Sequence, residues 1–326
     1  MAEQRSALLR ASKPPPRKLF STLITANHIL HNQGVVDAYG HISVRNPQDP
    51  NTFFISKSLA PALVSKREDL EEYKVEDASP VNPNAPQGYL ERFIHSEIYK
   101  KYKGVNAVVH AHAEVVLPFT ITSQPLRPVF HMAATLGPQA PVYDINQHYK
   151  ATDPQHSLLV TAPHLGAALA AGFHPSTTLQ KSTNLLKNFI TSSPTSLPDF
   201  PTHPVVLMRG HGFTAVGTEI QDVVFRAVYT CVNARVQRDA LLMQGSWNLR
   251  RGGGEGEKGL QEVRYLSERE VRDAREGVGV STGRPWRMWC AEVAAGQSYR
   301  NEMEEDGEDE GGGEEFVDDE RADEGA

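Results

Sequence analysis

Three histidines stand where they could share one metal ion. Residues 105–109 (Val-Asn-Ala-Val-Val) form a strand-like run that leads into His110-Ala111-His112. Side chains at i and i+2 of a strand face the same side, so both imidazoles can reach one ion. A second strand-like run, Val205-Val206-Leu207-Met208, leads into Arg209-Gly210-His211-Gly212. The glycines around His211 let the backbone come close. Three imidazoles suit Zn, Mn, Fe or Co, and three protein ligands leave a position open for substrate. The chemistry expected of such a centre is Lewis-acid catalysis that makes or discharges an enolate-type intermediate. A His-x-His pair alone is a weak signal, because most histidines make ordinary core or surface hydrogen bonds. The pair together with Gly-His-Gly, each at a strand end, is stronger. Among 13 histidines, His28, His31, His148, His156, His174 and His203 have no such context.

The elements that must position these residues can be read from periodicity. A helix is expected over 21–33, stopped by Gly34. Ile42 to Arg45 alternates, Asn46-Pro47 turns, and residues 52–55 return, which predicts a hairpin. Residues 89–102 carry an apolar stripe through Leu90, Phe93, Ile94 and Ile98, and Gly104 ends that helix. Residues 220–242 predict a long helix. The Ser/Thr/Pro-rich stretch 174–204 reads as an insertion around a helix-like piece, 179–190. After Gln244 the order signal falls. The domain plan is a flexible arm over 1–17, one compact domain over 18–245, a linker over 246–300 with a charged helix near 260–276, and a tail over 301–326.

Charge is segregated along the chain. Its formal net charge is -7, yet residues 301–326 hold 14 acids against one base, Arg321, while the rest holds 26 acids and 32 bases. A block of like charge broken by glycines cannot bury a core, so the tail is expected to be disordered. The basic excess of the body is scattered and lacks an aromatic–basic cluster, which excludes a nucleic-acid partner. No apolar run reaches the roughly 18 residues of a membrane span. The two cysteines, Cys231 and Cys290, form no CxxC pair, so a reducing, cytoplasmic setting is expected.

The chain resembles the class II aldolase/adducin family over about residues 20–243. The residues that carry the resemblance are Ala38-Tyr39-Gly40-His41-Ile42-Ser43-Val44-Arg45, Glu91 with its helix, Val108-Val109-His110-Ala111-His112, and Arg209-Gly210-His211-Gly212. The resemblance implies an α/β fold, a three-layer α/β/α sandwich around a mainly antiparallel sheet, and a homotetramer. It implies one divalent metal per subunit on His110, His112 and His211, Zn2+ or Mn2+ first and Fe2+ or Co2+ next. Glu91 would be the fourth ligand or the acid/base. Adducin is a structural relative without the metal histidines, and this chain keeps all three, which favours an enzyme over an interaction module.

The sequence departs from the family's sugar-phosphate enzymes at their phosphate site. Their Gly-Asn-x-Ser turn reads Gly40-His41-Ile42-Ser43 here. Their Ser-Ser pair before the glutamate becomes Tyr89-Leu90, and their Thr-Gly turn becomes Ser58-Leu59. A phosphate site is built from small donors and exposed backbone N–H groups. Larger side chains there argue for an unphosphorylated substrate. The Gly-His-Ile-Ser turn, Ser58-Leu59-Ala60-Pro61 and Phe130-His131-Met132-Ala133-Ala134 resemble the branch containing metal-dependent decarboxylases of hydroxy-aromatic or heteroaromatic acids. Expected activity is therefore carbon–carbon lysis of a small molecule, decarboxylation first and aldol cleavage second, with dehydration or epimerisation behind. His41, Ser43, Lys57, Ser58 and His131 are candidate substrate contacts. Tyr229, on one helical face with Arg226 and Asn233, is a candidate proton donor, though that face equally suits helix packing.

Overall fold

The computed structural model describes residues 17–86, 88–174, 199–250, 262–279 and 282–305. The arm over 1–16, the helix-like piece at 179–190 and most of the acidic tail lie outside the described residues. In chain order the elements are α1 (Arg17–Asn32), β1 (His41–Arg45), β2 (Thr52–Ser56), β3 (Leu70–Lys74), α2 (Arg92–Lys101), β4 (Ala107–Ala111), α3 (Leu117–Ile121) and β5 (Val142–Tyr143). There follow α4 (Pro163–Gly172), β6 (Val205–Met208), β7 (Gly212–Gly217), α5 (Ile220–Arg250), α6 (Glu268–Gly279), α7 (Gly283–Ala295) and α8 (Glu302–Glu305). The strands form one sheet in the order β3-β2-β1-β4-β7-β6-β5. Every pairing is antiparallel except β5 with β6.

Period-two alternation sends apolar side chains to both faces of this sheet. Phe54, Val109, Leu207 and Ala215 pack on one face under α1, α5 and α7. Phe53, Ile55, Val108, Val206 and Val216 pack on the other, against Ile94 and Ile98 of α2 and Leu165 and Leu169 of α4. The result is the expected α/β/α sandwich. The predicted β1–β2 hairpin is present, with Val44 opposite Phe54. Buried Arg45 closes the end of α2, its guanidinium donating to the carbonyls of Tyr99, Tyr102 and Val105. A cation on C-terminal carbonyls complements the helix dipole.

The expected linker over 246–300 is corrected. Helix α5 continues to Arg250, and the chain then returns to the domain. Trp289 and Val293 of α7 are buried in the same core as α1 and α5. Tyr299 donates its hydroxyl to, or accepts from, His31 Nδ1 at 2.9 Å. Asn301 Nδ2 donates to the Ser21 carbonyl at 3.0 Å, and Thr25 Oγ1 donates to Glu304 at 3.0 Å. Charge density hid this docking, because only a few apolar anchors interrupt a polar stretch. The tail boundary moves accordingly, since residues 301–305 lie against α1.

Candidate metal centre and active site

Sheet register brings the site together. His41 of β1 lies opposite His110 of β4, and His110 lies opposite Thr214 of β7. His112 follows β4 by one residue. His211 sits in the tight connection from β6 to β7, where Met208 pairs with Gly212. Gly210 has φ of 64°, in the left-handed region. A Cβ on Gly212 would stand 2.0 Å from the Ala111 carbonyl oxygen. Only glycine there lets the His211 turn lie against the end of β4.

Glu91 stands at the N-cap of α2 and projects to the same point. Its Oε2 lies 3.5 Å from His110 Nε2, 3.5 Å from His211 Nε2 and 3.9 Å from His112 Nε2. One ligand atom from each of the four residues falls within 4.8 Å of the others. Glu91 Oε1 is held separately, accepting from the Val160 N–H at 2.9 Å.

The outer contacts fix which nitrogen of each histidine faces inward. Thr214 donates its hydroxyl to Met208 Sδ, so its oxygen accepts from His110 Nδ1 at 3.3 Å. His211 Nδ1 donates to the Leu158 carbonyl at 3.0 Å. His112 Nδ1 lies 3.5 Å from Asp37 Oδ1. With protons on Nδ1, all three rings aim Nε2 lone pairs at one centre. Two such lone pairs, on His110 and His112, face each other at 3.2 Å. Among the described residues, the buried His211 Nε2 has no hydrogen-bond partner. Facing lone pairs, an orphaned nitrogen and a carboxylate form a donor set that a divalent cation would satisfy. Leu158 supports this with a strained backbone, φ 67°, an arrangement that costs a non-glycine residue about 1–3 kcal/mol.

Electrostatics follow burial and proximity. Burial pushes the Glu91 carboxyl up, but His110 foremost, with His112 and His211, holds it well below the usual carboxylate range. Burial lowers His110 to about 4 despite Glu91 beside it. Hydrogen bonding to Glu91 raises His112, with Asp37 adding to it against burial. Burial lowers His95 to about 3, from 6.5. Because His95 is neutral when folded, the unfolded chain binds one proton more than the folded chain as pH falls through about 6.5. Stability therefore drops with pH in that window, by up to about 1.4 kcal/mol per unit. Thermal melts of metal-free protein should show this fall from neutral pH toward about pH 4, and His95→Gln should make it shallower, with buried His110 and His41 keeping the rest. Identical pH dependence in the two proteins would refute the assignment.

A cavity of about 430 Å³ opens beside the cluster, lined by Tyr39, His41, Ser58, Gly88, Tyr89, Leu90, Glu91, His112 and Leu159. Of the candidate substrate contacts, His41 and Ser58 line this cavity. Four expectations are corrected. Ser43 is fully buried beneath the cavity and bonds His95 and Tyr99 instead. Lys57 points away, its Nζ 4.0 Å from Glu71. His131 is exposed, edge-on to Phe130. Tyr229 packs among Phe225, Phe130 and Trp289, so its helical face serves packing. Its neighbours agree: Arg226 pairs with Asp222, and Asn233 binds the backbone of Arg127 and Val129.

Sequence reasoning missed Asp37, His95, Thr214 and Tyr99. Asp37 left a signal, since its carboxylate accepts from the N–H groups of Tyr39 and Gly40 in an Asx turn. His95 left a fainter one, lying four residues after Glu91 on the buried face of α2.

Residues 21–238 match the family model of the Class II Aldolase and Adducin N-terminal domain. The decarboxylase tropJ of Talaromyces stipitatus is 45% identical over 280 residues, spanning 86% of this chain and 96% of that protein. An L-fuculose 1-phosphate aldolase from Glaciozyma antarctica PI12 superposes with a TM-score of 0.57 at 18% identity, covering 89% of this chain and 97% of that one. An aldolase II superfamily protein from Pseudomonas syringae gives a TM-score of 0.58 at 15% identity, covering 90% and 100%. At these identities the two structures speak for the fold. Among the described residues, no helix is long and apolar enough to cross a membrane.

Proposed function

Because the chain belongs to the class II aldolase and adducin family, we propose that it is a metal-dependent decarboxylase of an unphosphorylated hydroxy-aromatic carboxylate. It is an enzyme of the lyase class, as the family and its 45% identical decarboxylase relative indicate. The observation that carries the substrate reading is the cavity wall. Tyr39, Tyr89, Leu90 and Leu159 offer flat and apolar surface, and no lysine or arginine lines the cavity among the described residues. A phosphate needs cations or a nest of backbone N–H groups. A planar aromatic acid needs apolar walls and a few directed donors, and His41 and Ser58 can supply those.

His110, His112 and His211 would hold one divalent ion through Nε2, with Glu91 Oε2 at hand as a fourth donor; Zn2+ or Mn2+ best suits this set, with Fe2+ or Co2+ next. Such an ion supplies Lewis acidity for the electron pair that departing CO2 leaves behind. Glu91 begins as a carboxylate. Its Oε2 takes the proton of the substrate hydroxyl. Oε2 returns that proton to the ring carbon that bears the carboxylate, giving the dienone form. The carbon–carbon bond then breaks, CO2 leaves, and the bonding pair flows back through the ring to the oxygen. The substrate oxygen regains a proton from solvent, so the net change is one proton consumed and one CO2 released. Tyr89 and Leu90 would give the ring an apolar wall.

We also propose a tetramer in the cytoplasm. Exposed Leu242, Met243 and Leu249 near the end of α5 offer apolar surface for a second copy, and free Cys231 and Cys290 suit a reducing compartment. A monomer in sedimentation, or recovery in an organelle fraction, would overturn the respective assignment. The function is tested with metal-loaded protein. Hydroxy-aromatic acids should release CO2, and sugar phosphates should release no aldehyde. Aldehyde from sugar phosphates with no CO2 from any acid would overturn the reading.

A further inference from the structure

Beneath the cavity runs a buried chain of four side chains. Tyr99 Oη lies 2.8 Å from Ser43 Oγ, Ser43 Oγ lies 2.6 Å from His95 Nδ1, and His95 Nε2 lies 2.7 Å from His41 Nδ1. Tyr99, Ser43 and His95 are 0% exposed and His41 is 1% exposed. His41 packs against Tyr89 at the cavity wall, with ring centroids 4.5 Å apart.

We infer that this chain locks His41 in its Nε2-protonated tautomer and makes it a fixed hydrogen-bond donor to an anionic substrate oxygen, not a metal ligand or a base. The direction of the protons decides it. Ser43 is the one acceptor for the Tyr99 hydroxyl among the described residues, so Tyr99 donates to Ser43. Ser43 then donates to His95 Nδ1, which leaves the His95 proton on Nε2. That N–H donates to His41 Nδ1, and the His41 proton must sit on Nε2. Running the chain backwards would leave the Tyr99 O–H buried with no acceptor, at its full desolvation cost. An added proton is disfavoured as well, because burial keeps His95 neutral down to about pH 3.

The neighbouring histidines differ. His110 and His211 carry their protons on Nδ1 and present lone pairs inward. His41 lies beside them, ring centroids 5.2 Å from His110, with the opposite tautomer. It cannot donate a lone pair to the ion. Its N–H suits a carboxylate or hydroxyl-derived oxygen of the substrate. His95 is a positioning residue, acting through His41. The substrate half of this inference rests on the decarboxylase reading, whereas the tautomer half stands without it.

The test is ¹⁵N NMR of the imidazole nitrogens in zinc-loaded, substrate-free protein, with His41→Asn used to assign the His41 signals. The expected spectrum shows a protonated Nε2 and an unprotonated Nδ1 at His41. His95→Leu, which removes the donor to Nδ1, should give mixed tautomers, and His95→Gln, which keeps one, should restore the wild-type pattern. In the activity assay His95→Leu should raise KM for the acid about tenfold with a smaller change in kcat, the worth of one hydrogen bond to a charged oxygen. A protonated Nδ1 or mixed tautomers at His41 in the wild-type protein would overturn the inference, whether or not the variants fold. The expected tautomer in a protein that releases no CO2 would uphold the relay and defeat the decarboxylase reading alone.

Discussion

Protein carrying His211→Ala should purify without stoichiometric divalent metal, and its turnover should fall by more than about 10³-fold, since one pre-organised donor to developing charge is already worth about 10²–10³. Nε2 of His211 is buried, aimed at the centre and, among the described residues, without a hydrogen-bond partner. Removing it leaves His110 and His112, two neighbours on one strand end, with no ligand from the opposite hairpin. The fold should survive, because His211 lies in a turn and its ring gives up only one other hydrogen bond, to the Leu158 carbonyl. Metal-free wild type and variant should therefore melt alike. Added metal should stabilise only the wild type, by about 2.7 kcal/mol at a hundredfold excess over its Kd. Elemental analysis and paired melts check this. One equivalent of metal and full turnover in the variant would remove His211 from the centre.

How far the sequence could lead is clear from the same residues. Strand periodicity placed His110 and His112 on one side, and their Nε2 atoms do meet at 3.2 Å. The long helices and the first hairpin were legible for the same reason, since apolar spacing is a local property. Less legible were features fixed by register between distant strands. That His41 lies opposite His110, and His110 opposite Thr214, depends on pairing choices that no single segment states. The proton positions on each ring follow from those pairings, so tautomers could not be read in advance. Tyr229 shows the converse error. A helical face bearing Arg, Tyr and Asn looks equipped for chemistry, yet here its partners are Asp222, Trp289 and backbone. Helix α7 was lost among charged neighbours because two buried side chains, Trp289 and Val293, are enough to anchor it.

Glu91→Gln separates holding the metal from moving the proton. Glutamine matches glutamate in shape and can keep the Val160 bond through its carbonyl oxygen. It carries no charge and cannot shuttle a proton between substrate oxygen and carbon. Three imidazoles remain, so the variant should retain about one metal per chain with weakened affinity, as expected when one of several donors softens. Its kcat should fall by about 10²–10⁴, the usual worth of a positioned general acid–base. KM should change little, because glutamine keeps the shape that Glu91 gives the cavity wall. The result differs from His211→Ala in kind: one variant loses the ion and everything that depends on it, whereas the other keeps the ion and loses a proton path. Metal lost together with activity would make Glu91 chiefly a ligand. Full turnover with metal bound would move the proton transfer elsewhere, to a water or to the substrate itself, and would leave the three histidines as the whole of the essential centre.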